Sequence, residues 1–156
     1  MGGRRKFVEK LQMVFDEGLY DPANEPDIAY AYLFSHFRGE EWRTQKETRR
    51  LLDKYFTTAP DGIPGNDDTG TMSAWAVFTM LGLYPDCPGE PYYTLTAPVF
   101  DRAEIDTDGG TLVIEKRGEG YIRKMTLGDK PLTKYRVGHD ELLRGGKLTF
   151  ELKNER

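Results

Sequence analysis

The feature that most restricts the fold is residues 60–70, which read PDGIPGNDDTG. Proline fixes φ and lacks a backbone N–H, and glycine favours turns, so two prolines and three glycines in this stretch exclude a regular helix or strand. The same stretch, called here the second polar loop, carries Asp61, Asn66, Asp67 and Asp68. This composition indicates a functional site, although turn formation and helix capping explain the same residues.

An apolar run over residues 71–82 follows the loop and predicts a helix. Its apolar side chains cover nearly the whole circumference, so we expect this helix to be buried. Thr69, Thr71 or Ser73 is placed to cap it. Because the helix dipole stabilises negative charge at a helix N-terminus, a carboxylate within residues 66–68 suits a general base or a metal ligand.

Three earlier segments have apolar residues at helical spacing and are predicted to be helices. These segments are residues 4–17, 26–39 and 40–56. A first polar loop, residues 20–27, separates the first two of these segments, and we expect the two polar loops to lie adjacent at one end of the helices. Short β-rich runs over residues 92–96, 111–116, 121–127 and 147–152, with glycine-rich turns between them, predict a small antiparallel β-unit. The sequence therefore predicts an α+β fold, with a helical portion over residues 1–90 and a β-rich unit over residues 91–156.

Charge and composition exclude several classes of partner. The net charge is −4 with a pI near 5.3 and no basic block, which argues against nucleic acid or an anionic membrane surface as a partner. The single cysteine, Cys87, excludes an internal disulfide. No apolar stretch approaches the roughly 20 residues of a membrane span, and residues 1–7 lack the apolar segment of a signal peptide. With Met1 as the start of the product, the sequence predicts a cytoplasmic protein.

Four ordered motifs give the sequence a family resemblance. They are residues 60–75 (PDGIPGNDDTGTMSAW), residues 24–28 (NEPDI) leading into 32–34 (YLF), residues 42–45 (WRTQ), and residues 82–89 (GLYPDCPG) running on to 98–100 (PVF). Together they resemble glycoside hydrolase family 92, the calcium-dependent exo-acting α-mannosidases. The resemblance implies that the helices are a C-terminal slice of an (α/α)6 barrel with its site at one end. It also implies a mannose-containing glycan, such as an N-glycan or a mannan, as substrate.

The resemblance also assigns catalytic residues. Hydrolysis with inversion needs an acid for the leaving oxygen and a base for the attacking water, with carboxyl groups roughly 6.5–9.5 Å apart. Asp68 matches the family's general base. Asn66 belongs to the same catalytic group, at a position that is Asp in other members.

The first polar loop matches the family's calcium-binding loop. The resemblance implies that Asn24 and Glu25, together with Asp68, are Ca²⁺ ligands, and their oxygen atoms suit a hard cation. Another explanation of Asn24 and Glu25 is an Asx turn followed by an acid in the first turn of the next helix.

Two neighbouring residues, Tyr20 and Asp21, concern substrate binding and the type of linkage that is cleaved. Members that cleave α-1,2 links carry a His-Glu pair where this sequence has Tyr20 and Asp21. The resemblance implies that Tyr20 and Asp21 bind substrate and that the preferred linkage is not α-1,2.

The resemblance covers only the C-terminal part of such an enzyme. The family's proton donor and its N-terminal β-sandwich lie upstream of the matched region, so we expect the rest of the enzyme as a partner and an inactive isolated chain. Full-length bacterial members are mostly exported, which implies a periplasmic or secreted location for them. Two alternatives stay open, a non-catalytic carbohydrate- or calcium-binding module and a self-contained glycosidase that uses Glu25 and Asp68 as acid and base.

Overall fold

The computed structural model describes residues 2–155, which separate into two compact units, one up to Ala76 and one from Val77 onwards. Helices form most of the first unit, and strands form most of the second. The α+β fold predicted from the sequence is therefore confirmed. The functional division expected at residue 90 stays a prediction.

The first unit is built from α-helices and 3-10 segments. The α-helices are α1 (Arg4–Asp16), α2 (Glu41–Tyr55) and α3 (Thr71–Leu81). The 3-10 segments are Glu25–Asp27, Tyr30–His36 and Asp68–Gly70. Helix α3 continues into the second unit, which begins at Val77. Three of these helices lie where hydrophobic spacing predicts them. The core is aromatic, because Phe15 contacts Phe34 at a ring distance of 5.9 Å and Trp75 stacks on Phe56 at 5.4 Å. None of the helices within residues 2–155 combines the length and the apolar character needed to cross a bilayer.

The segment predicted as a helix over residues 26–39 is not an α-helix. It is divided into two 3-10 segments, in which the Tyr32 N–H donates to the Ala29 carbonyl at 2.9 Å and the Phe37 N–H donates to the Phe34 carbonyl at 3.0 Å. Aromatic side chains lose rotamer freedom in an α-helix, and aromatic residues are concentrated in this segment. The tighter 3-10 turns accommodate them while burying Tyr32 and Phe34 completely.

Helix α3 is also less enclosed than its apolar sequence predicts. Met72 and Trp75 are each 2% exposed, whereas Val77 is 56% exposed and Ala74 is exposed too. Burial on the Trp75 side of the helix is enough to anchor it, so the apolar residues on its other sides keep contact with solvent.

The second unit contains two sheets. Its strands are β1 (Leu83–Tyr84), β2 (Tyr92–Leu95), β3 (Arg102–Thr107), β4 (Gly110–Arg117), β5 (Tyr121–Leu127), β6 (Lys130–Pro131), β7 (Arg136–Gly138) and β8 (Gly146–Lys153), with a short helix α4 (His139–Leu143) before β8. One sheet has the order β1-β2-β7 and the other has the order β3-β4-β8-β5-β6. Leu95, Leu148 and Phe150 are completely buried between them, so the unit has its own core.

The expectation of a purely antiparallel unit is wrong for one strand pair. Strand β8 runs parallel to β4, with Leu112 paired to Gly146 and Arg117 paired to Glu151. The physical reason lies in α4, because its last carbonyl, that of Leu143, accepts hydrogen bonds from the Gly109 N–H at 3.1 Å and from the Thr107 hydroxyl at 2.8 Å. This contact brings the chain back to the β3–β4 turn, so β8 begins at the same end of the sheet as β4.

Candidate active site

The first polar loop is closed by its own acidic side chains. Asp21 Oδ1 accepts a hydrogen bond from the Ala23 N–H at 2.9 Å, and Asp27 Oδ2 accepts one from the Asp21 N–H at 3.2 Å. The Asn24 N–H donates to the Asp21 carbonyl at 3.2 Å, and the Asn24 carbonyl accepts from the Asp27 N–H at 2.9 Å. These bonds fix the backbone on both sides of Asn24.

The second polar loop is fixed at both of its ends. The Thr57 N–H donates to the Gly62 carbonyl, and the Gly62 N–H donates to the Ala59 carbonyl, both at 2.9 Å. A Cβ at Gly62 would lie 2.2 Å from the Thr57 carbonyl oxygen, so only glycine fits there. At the far end, the Asp67 carboxylate accepts hydrogen bonds from the Ser73 N–H at 2.8 Å and from the Ser73 hydroxyl.

Asp67 caps α3, and the prediction that Thr69, Thr71 or Ser73 does so was wrong. Asp67 has a left-handed backbone, with φ 51°, which sets its carboxylate where it reaches Ser73 in the first turn of the helix. The hydroxyl bond and then the N–H bond from Ser73 lower the pKa of the Asp67 carboxyl from its ordinary value, against a smaller opposing effect of desolvation. The Thr69 and Thr71 hydroxyls instead donate to the carbonyl of Asp68.

Asp68 lies between two residues with left-handed backbone, Asp67 and Thr69, whose φ angles are 51° and 54°. A β-branched residue such as Thr69 is strained at positive φ, and strain of this kind is concentrated at functional sites. The Asp68 side chain is exposed, and within residues 2–155 it has no hydrogen-bond or ion-pair partner. Asp67 therefore stabilises the helix, and the Asp68 carboxylate is left accessible to water or a ligand.

The two polar loops lie against each other, as the sequence predicts. A Cβ built on Gly65 would stand 2.9 Å from the Cβ of Ala23, so the loops already touch at this point. Helix α3 holds the end of the first loop as well, because the Trp75 indole N–H donates to the Ile28 carbonyl at 3.0 Å. The fold thus brings the loop that carries Asn24 next to the loop that carries Asp68.

Asn24 and Glu25 have the chemistry of ligands for a hard cation. Both side chains are exposed, and Asn24 occupies the N-cap position of its 3-10 segment without a side-chain capping hydrogen bond. Within residues 2–155, no group of three or more His, Cys, Asp and Glu side chains is arranged to hold a metal ion. The predicted ligand set is of another kind, two carboxylates and one amide, and such oxygen donors fit calcium. That Asn24, Glu25 and Asp68 converge on one ion stays a prediction.

The remaining predicted site residues differ in accessibility. Tyr20 is 8% exposed, and its ring stacks on Phe15 at 5.2 Å. Asp21 is exposed, but one carboxylate oxygen is already bonded to the loop backbone. Asn66 is exposed at the centre of the second polar loop. The substrate-binding role of Tyr20 and Asp21 and the catalytic role of Asn66 stay predictions.

A family model of the glycosyl hydrolase family 92 catalytic domain matches residues 1–154. The chain belongs to glycosyl hydrolase family 92. An uncharacterized secreted glycosidase from Arthroderma benhamiae is 32% identical over 163 residues, which cover 99% of this chain and 21% of that protein. The family 92 chain therefore spans about a fifth of the length of this relative.

Solved family 92 structures agree with the fold. An alpha-mannosidase from Bacteroides thetaiotaomicron superposes with a TM-score of 0.90 and 27% identity, over 98% of this chain and 22% of that one. The same enzyme in complex with mannoimidazole superposes with a TM-score of 0.81 and 28% identity, over 87% and 18%. An inverting mannosidase from Bacteroides thetaiotaomicron VPI-5482 gives a TM-score of 0.77 and 31% identity, over 92% and 20%.

Three residues that shape the candidate site were not singled out from the sequence. Asp27 closes the first polar loop, Ala23 contacts the second loop, and Gly65 allows that contact. Asp27 and Gly65 both lie inside the motifs over residues 24–28 and 60–75 that carry the family resemblance. Membership of a motif without an assigned catalytic or ligand role was thus the sequence signal that these two residues shape the loops.

Proposed function

We propose that the chain forms part of the catalytic domain of an inverting exo-α-mannosidase and supplies its general base, Asp68. One observation carries the proposal. Asp67 caps α3, whereas the carboxylate of its neighbour Asp68 is exposed between two left-handed residues and has no partner among residues 2–155. A base must be free to accept a proton from water, and a carboxylate occupied in helix capping is not. The division of roles between two adjacent acids supports Asp68 rather than Asp67 as the base.

The proposed chemistry follows from two carboxyl roles. Asp68 takes a proton from the water that attacks the anomeric carbon, and an acid outside residues 1–156 protonates the leaving oxygen. The names of the related enzymes, an alpha-mannosidase and an inverting mannosidase, support a mannoside as substrate and inversion as the outcome. The word "secreted" in the name of the Arthroderma relative supports export of the protein that contains this chain.

We further propose that Asn24, Glu25 and Asp68 hold calcium. A bound Ca²⁺ would supply a positive centre for sugar hydroxyl groups. The first polar loop supports this role because Asp21 and Asp27 fix its backbone and the Asn24 and Glu25 side chains are exposed. We assign to Asn66, which is exposed two positions before Asp68, the role of orienting water or sugar.

The test of the base is Asp68→Asn in the enzyme that contains the complete catalytic domain. We expect kcat for an aryl α-mannoside to fall about 10²–10⁴-fold, which is the usual contribution of a positioned proton-transfer group. Asp61→Asn is the matched control, because Asp61 is exposed in the same loop and has no part in the proposed chemistry. Proton NMR of the first-formed mannose anomer reports inversion. An ordinary turnover rate in Asp68→Asn would contradict the proposal.

A second experiment separates the proposal from the self-contained glycosidase. If Glu25 were the general acid, Glu25→Gln would slow mannobiose hydrolysis but spare a dinitrophenyl mannoside, whose leaving group needs no proton. For a calcium ligand, both substrates are hydrolysed more slowly and the calcium dissociation constant measured by isothermal titration rises. Activity of the wild-type enzyme that is unchanged by a chelator would remove calcium from the proposal.

A further inference from the structure

We propose that the contact between Ala23 and Gly65 sets the separation of the two polar loops, and that Gly65 is a positioning residue of the candidate site. The proposal rests on the function proposed above, because it assigns the ligands Asn24 and Glu25 to one loop and the base Asp68 to the other. Gly65 itself touches no reacting atom in this proposal. It acts through the distance between the loops.

The contact leaves no room for a side chain. A Cβ at Gly65 would lie 2.9 Å from the Ala23 Cβ, 3.1 Å from its Cα and 3.2 Å from its carbonyl oxygen, whereas ordinary van der Waals contact begins at 3.4 Å. Two of these three neighbours are backbone atoms, so rotation of a flexible side chain gives no relief. A methyl group at Gly65 therefore forces the loops apart by about half an ångström.

Displacement of Ala23 reaches the proposed calcium ligands directly. Ala23 precedes Asn24 and Glu25, and its N–H is bonded to Asp21 Oδ1 at 2.9 Å. The Asn24 N–H is bonded to the Asp21 carbonyl at 3.2 Å. Because the loop is tied together by these bonds, it moves as a unit and carries both ligands with it.

Displacement of Gly65 reaches the proposed base in the same way. Asn66 follows Gly65, and the next residue, Asp67, is held on Ser73 by two hydrogen bonds. The Gly70 N–H is bonded to the Asp67 carbonyl at 2.9 Å, which closes the turn around Asp68. The segment between the contact and the base is therefore too short and too constrained to absorb the shift.

The experiment compares Gly65→Ala with Gly18→Ala in the enzyme that contains the complete catalytic domain. Both glycines have nearly the same backbone angle, φ +70° at Gly65 and +69° at Gly18, but a Cβ at Gly18 has nothing within 4 Å. Gly18→Ala thus measures the cost of the left-handed backbone alone. Since a misplacement of about 1 Å costs up to 10²-fold, we expect kcat to fall about tenfold further in Gly65→Ala than in Gly18→Ala.

Rescue from the opposite loop distinguishes positioning from general destabilisation. In Ala23→Gly/Gly65→Ala the 2.9 Å Cβ–Cβ clash is gone, while the contacts of 3.1 and 3.2 Å to backbone atoms of residue 23 and the strained alanine remain. We therefore expect calcium affinity and kcat to recover in part, toward the level of Gly18→Ala. Ala23→Val places a larger side chain at the same contact and leaves Gly65 unchanged. We expect it to lower calcium affinity although Asp68 is intact. Equal losses in Gly65→Ala and Gly18→Ala, or no recovery in the double variant, would overturn the proposal.

A readout without turnover keeps this proposal separate from the proposed function. Hydrogen exchange at residues 20–27 should be faster in Gly65→Ala than in Gly18→Ala and should slow again in the double variant. Activity insensitive to Asp68→Asn alongside this exchange pattern would refute the base assignment and retain the loop contact. Exchange that does not respond to Gly65→Ala would refute the loop contact itself.

Discussion

Replacement of Trp75 by phenylalanine tests how helix α3 supports the first polar loop. Trp75 is 2% exposed, stacks on Phe56 at 5.4 Å and donates its indole N–H to the Ile28 carbonyl at 3.0 Å. The lost hydrogen bond costs about 0.5–1.5 kcal/mol. The lost part of the buried ring costs about 1–2 kcal/mol at roughly 0.8 kcal/mol per buried CH₂. We therefore expect the free energy of unfolding to fall by about 1.5–3.5 kcal/mol.

Trp42→Phe is the matched control for this substitution. Trp42 is only half-buried on α2, where the Arg43 guanidinium lies 4.5 Å from its ring. A cation–π contact of this kind contributes about 0.5–1 kcal/mol, and a phenylalanine ring retains part of it, so Trp42→Phe should cost less than Trp75→Phe. Urea unfolding followed by far-UV circular dichroism measures both variants against the wild type.

The functional consequence of Trp75→Phe is local. Because Ile28 directly follows the first polar loop, loss of its hydrogen bond should speed hydrogen exchange at residues 24–28 and leave the β3–β4 turn unchanged. Equal costs of Trp75→Phe and Trp42→Phe, or an equal rise of exchange at residues 24–28 and in the β3–β4 turn, would refute this role of Trp75.

Three further predictions follow from buried or crowded groups. Glu47→Gln should lower the free energy of unfolding by about 1–3 kcal/mol in urea titrations, because the Glu47 side chain is 1% exposed and accepts a charged hydrogen bond from Arg50. The control is Asp53→Asn, which should change the free energy of unfolding by less than about 0.5 kcal/mol because the Asp53 side chain is 63% exposed. Gly62→Ala should abolish soluble expression because its Cβ would meet a backbone oxygen at 2.2 Å, and Gly89→Ala, with nothing within 4 Å, should express normally. Burial, and then the negative charge of Asp86, raises the pKa of Tyr84 to about 12. The neutral phenol therefore stabilises the fold fully below about pH 10, and this contribution is lost between about pH 10 and 12. Tyr84→Phe should remove the last phase of the tyrosinate absorbance titration.

Helices α1, α2 and α3 and the strands β2, β4, β5 and β8 were predictable because their side chains follow the period of the element that they form. Strand β5 lies over the same residues, 121–127, that the sequence predicts, and α2 differs by one residue at each end. Strand β3 was missed because only Ala103 and Ile105 offer apolar side chains, and the other positions are polar and exposed or half-exposed. The parallel pairing of β8 with β4 depends on a distant contact between Leu143 and the β3–β4 turn, which no local pattern reveals.

The candidate site was predictable in its residue types but not in its geometry. Asn24, Glu25 and Asp68 stand out as oxygen-bearing residues in short loops beside helices. Which acid of the pair Asp67 and Asp68 caps α3 depends on the left-handed backbone at Asp67, and aspartate adopts that conformation at a minority of positions. Sequence patterns describe which side chains are available, and the competition between adjacent acids is decided by the backbone.

The central position of β8 has a consequence for synthesis of the protein. Strand β4 is synthesised before its neighbour β8, which lies roughly 34 residues further along the chain, since Leu112 pairs with Gly146. At about 5–20 residues per second, a ribosome needs roughly 2–7 s to make that intervening stretch. During this interval the buried positions Leu112 and Ile114 have no neighbour on the β8 side. The β-rich unit is therefore exposed to aggregation as a nascent chain, and chaperones that bind apolar strands would act on it in that window.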